Sequence, residues 1–103
     1  MTALKEGFFM KKALEEAQNA YEEQEVPVGA IITFENQIIG KGYNQVERLN
    51  DVTAHAEILA ITAASNFLGS KYLHDCTIYV TLEPCPMCAM AIANSQLRHL
   101  VYG

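Results

Sequence analysis

Two hydrophobic periodicities alternate along this chain, and their order limits the architectures open to it. Residues 3–23 set Phe8, Phe9, Ala13, Leu14, Ala17 and Tyr21 among Lys11, Lys12, Glu15, Glu16 and Glu22. That is the stripe of an amphipathic helix laid on a larger surface, with core contacts the simplest role for Phe8, Phe9 and Tyr21. VGAIITF (28–34) and QIIGKGYN (37–44) read as short strands separated only by Glu35 and Asn36, which predicts a tight antiparallel hairpin. Gly29, Gly40 and Gly42 weaken those strands and leave room for a neighbouring backbone or a ligand. VERLNDVT (46–53) is polar and reads as a loop. AHAEILAITAASNFL (54–68) has alanine-rich helical character, with Thr53 or Asp51 available to cap its start and Gly69 its end. CTIYVTL (76–82) is dense in β-branched and aromatic residues, as in a strand buried on both faces. Glu83 and Pro84 end it, PMCAMAIANS (86–95) follows as a helix with Pro86 in its first turn, and LRHLVYG (97–103) begins another strand.

Helices alternating with strands in this order predict a three-layer α/β/α domain around a mixed central sheet. At 103 residues the expectation is one domain over 1–103, near the short end of what a single core supports. The strand-like end, with no element after it, reads as a longer domain cut short at its C-terminal side. Half of the residues are hydrophobic and 18% are charged, a balance that folds. No apolar run approaches the roughly 20 residues of a membrane helix. The first residues intersperse charges and lack the order of a secretory signal, so the cytoplasm is the expected compartment. A formal charge of −5 argues against a strongly basic nucleic-acid binder, while saying little about a local patch.

The chemistry is concentrated in two short stretches. Cys76, Cys85 and Cys88 are odd in number, and two of them lie three residues apart in a chain with no export signal. A metal or redox site is therefore favoured over a disulfide framework. His55-Ala56-Glu57 precedes Glu83-Pro84-Cys85-Pro86-Met87-Cys88. One imidazole and two thiolates give zinc three ligands and leave one position open, the composition of a catalytic site. Cys76, inside a strand, is better read as core than as a fourth ligand. His74 and His99 are better read as surface or loop residues than as ligands. His55 in the first turn of one helix, and Cys85 and Cys88 at the opening of another, would put the thiols near a positive helix end that lowers their pKa. Glu57 can approach a water at the open position without ligating the metal. Taking the proton and returning protons to a ring nitrogen and a leaving amine is hydrolytic deamination. Zinc deaminases of nucleobases carry this H-x-E…P-C-x-x-C pattern.

On these motifs, together with EVPVGAII (25–32), GYN (42–44), DVTAHAEILAI (51–61), YVTLEPCPMCAMAI (79–92) and LVYG (100–103), the chain resembles the cytidine deaminase superfamily. Within it, the TadA-type tRNA adenosine deaminases are the most similar group. The resemblance implies a cytidine-deaminase-like fold, a Zn2+ cofactor and a homodimer whose subunits help complete each other's sites. It also implies that Asn44 hydrogen-bonds the base, Val28 lines its pocket and the backbone around Ala56 orients the ring. From its position alone, Asn44 could equally be a turn residue after a strand. Met90 stands where the group has a small residue, and Gln96 where it often has arginine. Three functions follow as alternatives. The first is adenosine-to-inosine conversion in a tRNA anticodon loop. The second is deamination of a free nucleobase or nucleoside of cytosine or guanine type. The third is a non-catalytic, zinc-stabilised remnant, for which Glu57 would have no use.

Overall fold

The computed structural model of the chain describes residues 2–103, with side chains from residue 5 onward. The elements run α1 (Thr2–Glu22), β1 (Gly29–Phe34), β2 (Gln37–Tyr43), α2 (Val46–Leu49), α3 (Ala56–Leu68), β3 (Cys76–Val80), α4 (Pro86–Asn94) and β4 (His99–Tyr102). The four strands form one sheet in the order β2-β1-β3-β4. β1 is antiparallel to both neighbours, whereas β3 and β4 are parallel and joined by α4, so the sheet is mixed as expected. α1 covers one face through Phe9 and Ala13 on Ile31 and Tyr79. α3 and α4 cover the other through Ala56, Ala60, Ala64 and Ile92 on Ala30, Ile32, Ile78 and Val80. These are the three predicted layers.

The buried stripe of α1 is Phe9, Ala13, Ala17 and Ala20, spaced four, four and three residues apart. Phe8 and Tyr21, expected in the core, are exposed, as is Leu14. They sit off that narrow line, and the small alanines show that α1 lies close to the sheet. Gly29 makes this closeness possible: a methyl group there would run into the Ala13 carbonyl and the Ala17 amide. The close approach predicted at the glycines is therefore made by helices, by α1 at Gly29 and by α3 at Gly40 and Gly42.

The β1–β2 hairpin turns through Glu35 and Asn36, both at positive φ (51° and 63°), the signature of a type I′ turn. Its register shifts by one residue after Ile32, leaving Ile39 as an extra residue in β2. The bulge changes the parity of the strand. Ile39 faces the α3 layer, and beyond it so do Gly40 and Gly42, which strict alternation would have placed on opposite sides from Ile39.

Three expectations are corrected. Residues 46–53 are not all loop, because Val46–Leu49 close one helical turn. The third helix starts at Ala56, two residues later than 54–68 implied, and neither Thr53 nor Asp51 caps it. Asp51 instead accepts hydrogen bonds from the Thr53 N–H (2.8 Å) and hydroxyl (2.7 Å), an Asx turn within the loop. Gly69 does end α3, at φ 65°. Among the described residues no helix is long and apolar enough to cross a membrane.

Candidate active site

The site is assembled where α3 and α4 begin. His55 is the N-cap of α3 and Cys85 the N-cap of α4, both in extended conformation, with Pro86 as the first residue of α4. His55 thus stands one residue before the helix rather than inside its first turn. Neither side chain caps its own helix. A Ser or Asp at each position would typically add about 1 kcal/mol, so these two positions forgo local stability. Their side chains turn to each other instead. The His55 Nδ1 lies 3.7 Å from the Cys85 sulfur and 3.5 Å from the Cys88 sulfur. The three donor atoms all fall within 4.8 Å of one another.

That spacing fits zinc. With Zn–S near 2.3 Å and Zn–N near 2.0–2.1 Å, a tetrahedron has an N···S edge of about 3.6 Å. One imidazole and two thiols are the borderline-soft donors zinc prefers, and the trio leaves a fourth direction free. Cys88 is buried. Burial foremost, then the Glu57 charge and Cys85, push its thiol far up from the ordinary value. A cation held among the three donors would pull it back down.

Glu57, in the first turn of α3, is 4% exposed. It lies outside the donor trio, beside Cys88, and lines an open cavity of about 390 Å³. Val28, Asn44 and Ala56 line the same cavity as His55, Glu57 and Cys85, and Cys88 joins it through the donor trio, so the structure brings every candidate residue of the sequence to one place. Asn44 is 7% exposed, and its Oδ1 accepts the Val46 N–H at 3.4 Å. It is therefore both a turn residue and a pocket wall. Cys76 is buried in the core, its thiol pushed up by burial, and His74 and His99 are exposed, as predicted.

The sequence missed Gln24, Glu25, Val26, Val46, Glu47, Leu82 and Glu83 as lining residues. Val46 and Glu47 carried no signal because the α2 turn they belong to is locally polar, and residues 24–26 carried none because they lie in the loop between α1 and β1. No lysine or arginine is among the lining residues, whereas Glu25, Glu47, Glu57 and Glu83 are.

A mixed sheet between helical layers, with His, Cys and Cys donors at two helix starts and a buried glutamate beside them, is the arrangement described for the zinc deaminase class. The chain belongs to the family of the cytidine and deoxycytidylate deaminase zinc-binding region, whose model matches residues 4–103. It is 53% identical over 96 residues to the tRNA-specific adenosine deaminase of Aquifex aeolicus, covering 93% of this chain and 64% of that protein. It is 54% identical over 96 residues to the tRNA-specific adenosine deaminase of Rickettsia bellii, covering 91% and 66% respectively. The chain thus spans about two thirds of the length of these relatives. Among solved structures, a tRNA:A34 deaminase superposes with a TM-score of 0.92 at 47% identity, over 94% of this chain and 75% of the other. The guanine deaminase of Bacillus subtilis superposes with a TM-score of 0.91 at 39% identity, over 94% and 62%.

Proposed function

We propose that the chain carries the catalytic centre of a zinc-dependent hydrolase that converts adenosine to inosine at the wobble position of tRNA. The observation that carries the reading is Glu57, a carboxylate kept almost out of water at the wall of a pocket, next to three metal donors. The reaction class also rests on family membership, and the substrate on the similarity to tRNA adenosine deaminases.

In this reading His55, Cys85 and Cys88 hold Zn2+. When bound, zinc supplies a Lewis acid able to bring the pKa of a water towards neutrality. Asn44 offers its amide to the base, Val28 supplies an apolar wall and the Ala56 backbone borders the ring. Glu57 accepts the proton given up by the attacking water and passes protons to the ring nitrogen and the departing amine. A C–O bond forms at the purine C6, the C–N bond breaks, and ammonia and inosine leave. The target base reaches such a pocket only when swung out of its stack, which an anticodon loop permits. We place the enzyme in the cytoplasm as a homodimer. Exposed Met90 (61%), Met87 and Leu82, on α4 and the loop leading to it, offer an apolar surface for a second copy.

A second reading, deamination of a free base or nucleoside, is favoured by one observation. The pocket is lined by four glutamates and no cation, which repels a phosphate backbone unless residues elsewhere supply the charge. The non-catalytic reading leaves the burial of Glu57 in the pocket without a use. Inosine formation in an anticodon stem-loop, with ammonia release from free adenine, guanine and cytosine alongside, separates the three. For wild type the expected result is inosine in the stem-loop. Glu57→Gln should retain zinc and lose at least about 100-fold in rate, the scale of general acid–base catalysis. Ammonia from free bases alone selects the second reading, and no turnover by zinc-loaded wild type selects the third.

A further inference from the structure

Glu25 is a buried carboxylate (7% exposed), and neither ion pair found among the described residues involves it. Its partners are backbone amides 22 and 23 positions away. Oε1 accepts the N–H of Glu47 at 3.1 Å, and Oε2 accepts the N–H of Arg48 at 2.8 Å. These are the second and third amides of α2, the donors that a helix N-cap side chain normally satisfies. The residue at that N-cap, Gln45, makes no such bond. The first amide, of Val46, goes to Asn44 Oδ1, and the fourth, of Leu49, to the Gln45 carbonyl. The backbone of Glu25 is itself anchored. Its N–H donates to the Ala20 carbonyl at 2.9 Å, closing the end of α1 around Gln24, which sits at φ 64°.

The span so pinned is one wall of the cavity. Asn44, Val46 and Glu47 line it from the α2 side, together with His55, Ala56, Glu57 and Cys85. A four-residue helix has no stability of its own. Two charge-assisted hydrogen bonds are what give it a single position.

Resting on the deaminase reading above, the geometry points to Glu25 as a positioning residue of the substrate pocket, acting through the α2 backbone to hold Asn44 and the 46–47 wall in place for the base. It leaves the metal donors and Glu57 untouched. Arg48 forms a second, exposed link by pairing with Glu23, which also accepts the Tyr43 hydroxyl. Exposed pairs of this kind contribute little, so the buried carboxylate is the tie that matters.

The test compares Glu25→Gln with Arg48→Ala in zinc-loaded protein. An amide in place of the carboxylate cannot accept both backbone bonds. In Glu25→Gln, the Glu47 and Arg48 amides should exchange with solvent about tenfold faster, with exchange in α3 and β3 and the zinc stoichiometry unchanged. In the stem-loop assay KM should rise several-fold while kcat moves less, and Arg48→Ala should leave all four readouts near wild type. Should Glu25→Gln fail to fold, Glu25→Asp, with the charge kept one methylene short, carries the same comparison. Unchanged protection at Glu47 and Arg48 would overturn the proposal, as would exchange rising equally in α3 or loss of zinc. A raised KM with α2 still protected would also overturn it, by making Glu25 a direct substrate contact. If wild type turns over nothing, the deaminase reading fails while amide exchange still decides whether Glu25 holds the wall.

Discussion

His55 and Cys85 occupy N-cap positions where another chain would place a serine or aspartate, and they leave two helix starts uncapped in order to face one another and Cys88. Side-chain identity and spacing were legible in the sequence because the ligands are chemically distinctive. Glu25 was not, because its partners are backbone amides, which every residue carries. A further residue-scale consequence concerns Glu16, half-buried on α1 against Gly29. Burial raises its carboxyl above the ordinary range, against the opposing pull of Lys41. On raising the pH, the unfolded chain then gives up this proton before the folded one does. Stability therefore declines from about pH 4.5 until the folded group also ionises, and stays lower above that. Glu16→Gln should accordingly raise the melting temperature at pH 7 and leave it nearly unchanged at pH 3.5. Equal shifts at the two pH values would assign the effect to packing rather than ionisation.

At the scale of elements, the hairpin turn and the helix–sheet contacts make separate predictions. Glu35 adopts a left-handed conformation that a residue with a Cβ adopts at a cost of roughly 1–2 kcal/mol. Asparagine tolerates it better, so Glu35→Asn should stabilise the chain by about 0.5–1 kcal/mol in urea unfolding, without affecting zinc content. Gly42 behaves in the opposite sense. A methyl group there meets the Ala56 carbonyl and the Ala60 amide, backbone atoms of α3 that cannot step aside individually. Gly42→Ala should cost about 3 kcal/mol, the upper part of the overpacking range. Because Ala56 lies between His55 and Glu57, it should also weaken zinc binding, measured by chelator competition. Strand existence and the two-residue turn were readable from alternation and turn length. The bulge at Ile39 was not, since the shift appears only when β2 is paired with β1. The helical turn of α2 was also hidden, its local sequence being polar and its stabilising carboxylate a distant one.

For the molecule as a whole, α3 packs across β1 and β2 and starts at the metal donors, so the site and the core share a framework. Removing the metal should then be felt globally. A ligand bound at about 100 times its dissociation constant adds about 2.7 kcal/mol to stability. Stripping zinc with a chelator should lower the melting temperature by about 10 °C or more, with recovery on adding Zn2+ and none on adding Mg2+, whose preference is for oxygen donors. A chelated protein that melts at the same temperature would show that the three donors do not bind zinc in solution.

The amino-acid sequence by itself determined the elements other than α2, the mixed three-layer arrangement and the candidate metal donors, because periodicity and ligand chemistry are local properties that survive without a structure. Tertiary structure alone decided which aromatic side chain of α1 is buried, with Phe9 taken in and Phe8 and Tyr21 left out. It alone decided which face of β2 carries its glycines, and that a glutamate before the first strand bonds the α2 amides beside the pocket. Each of these depends on a partner distant in sequence: a helix axis fitted to a sheet, a strand register, or a backbone amide that leaves no mark on residue type.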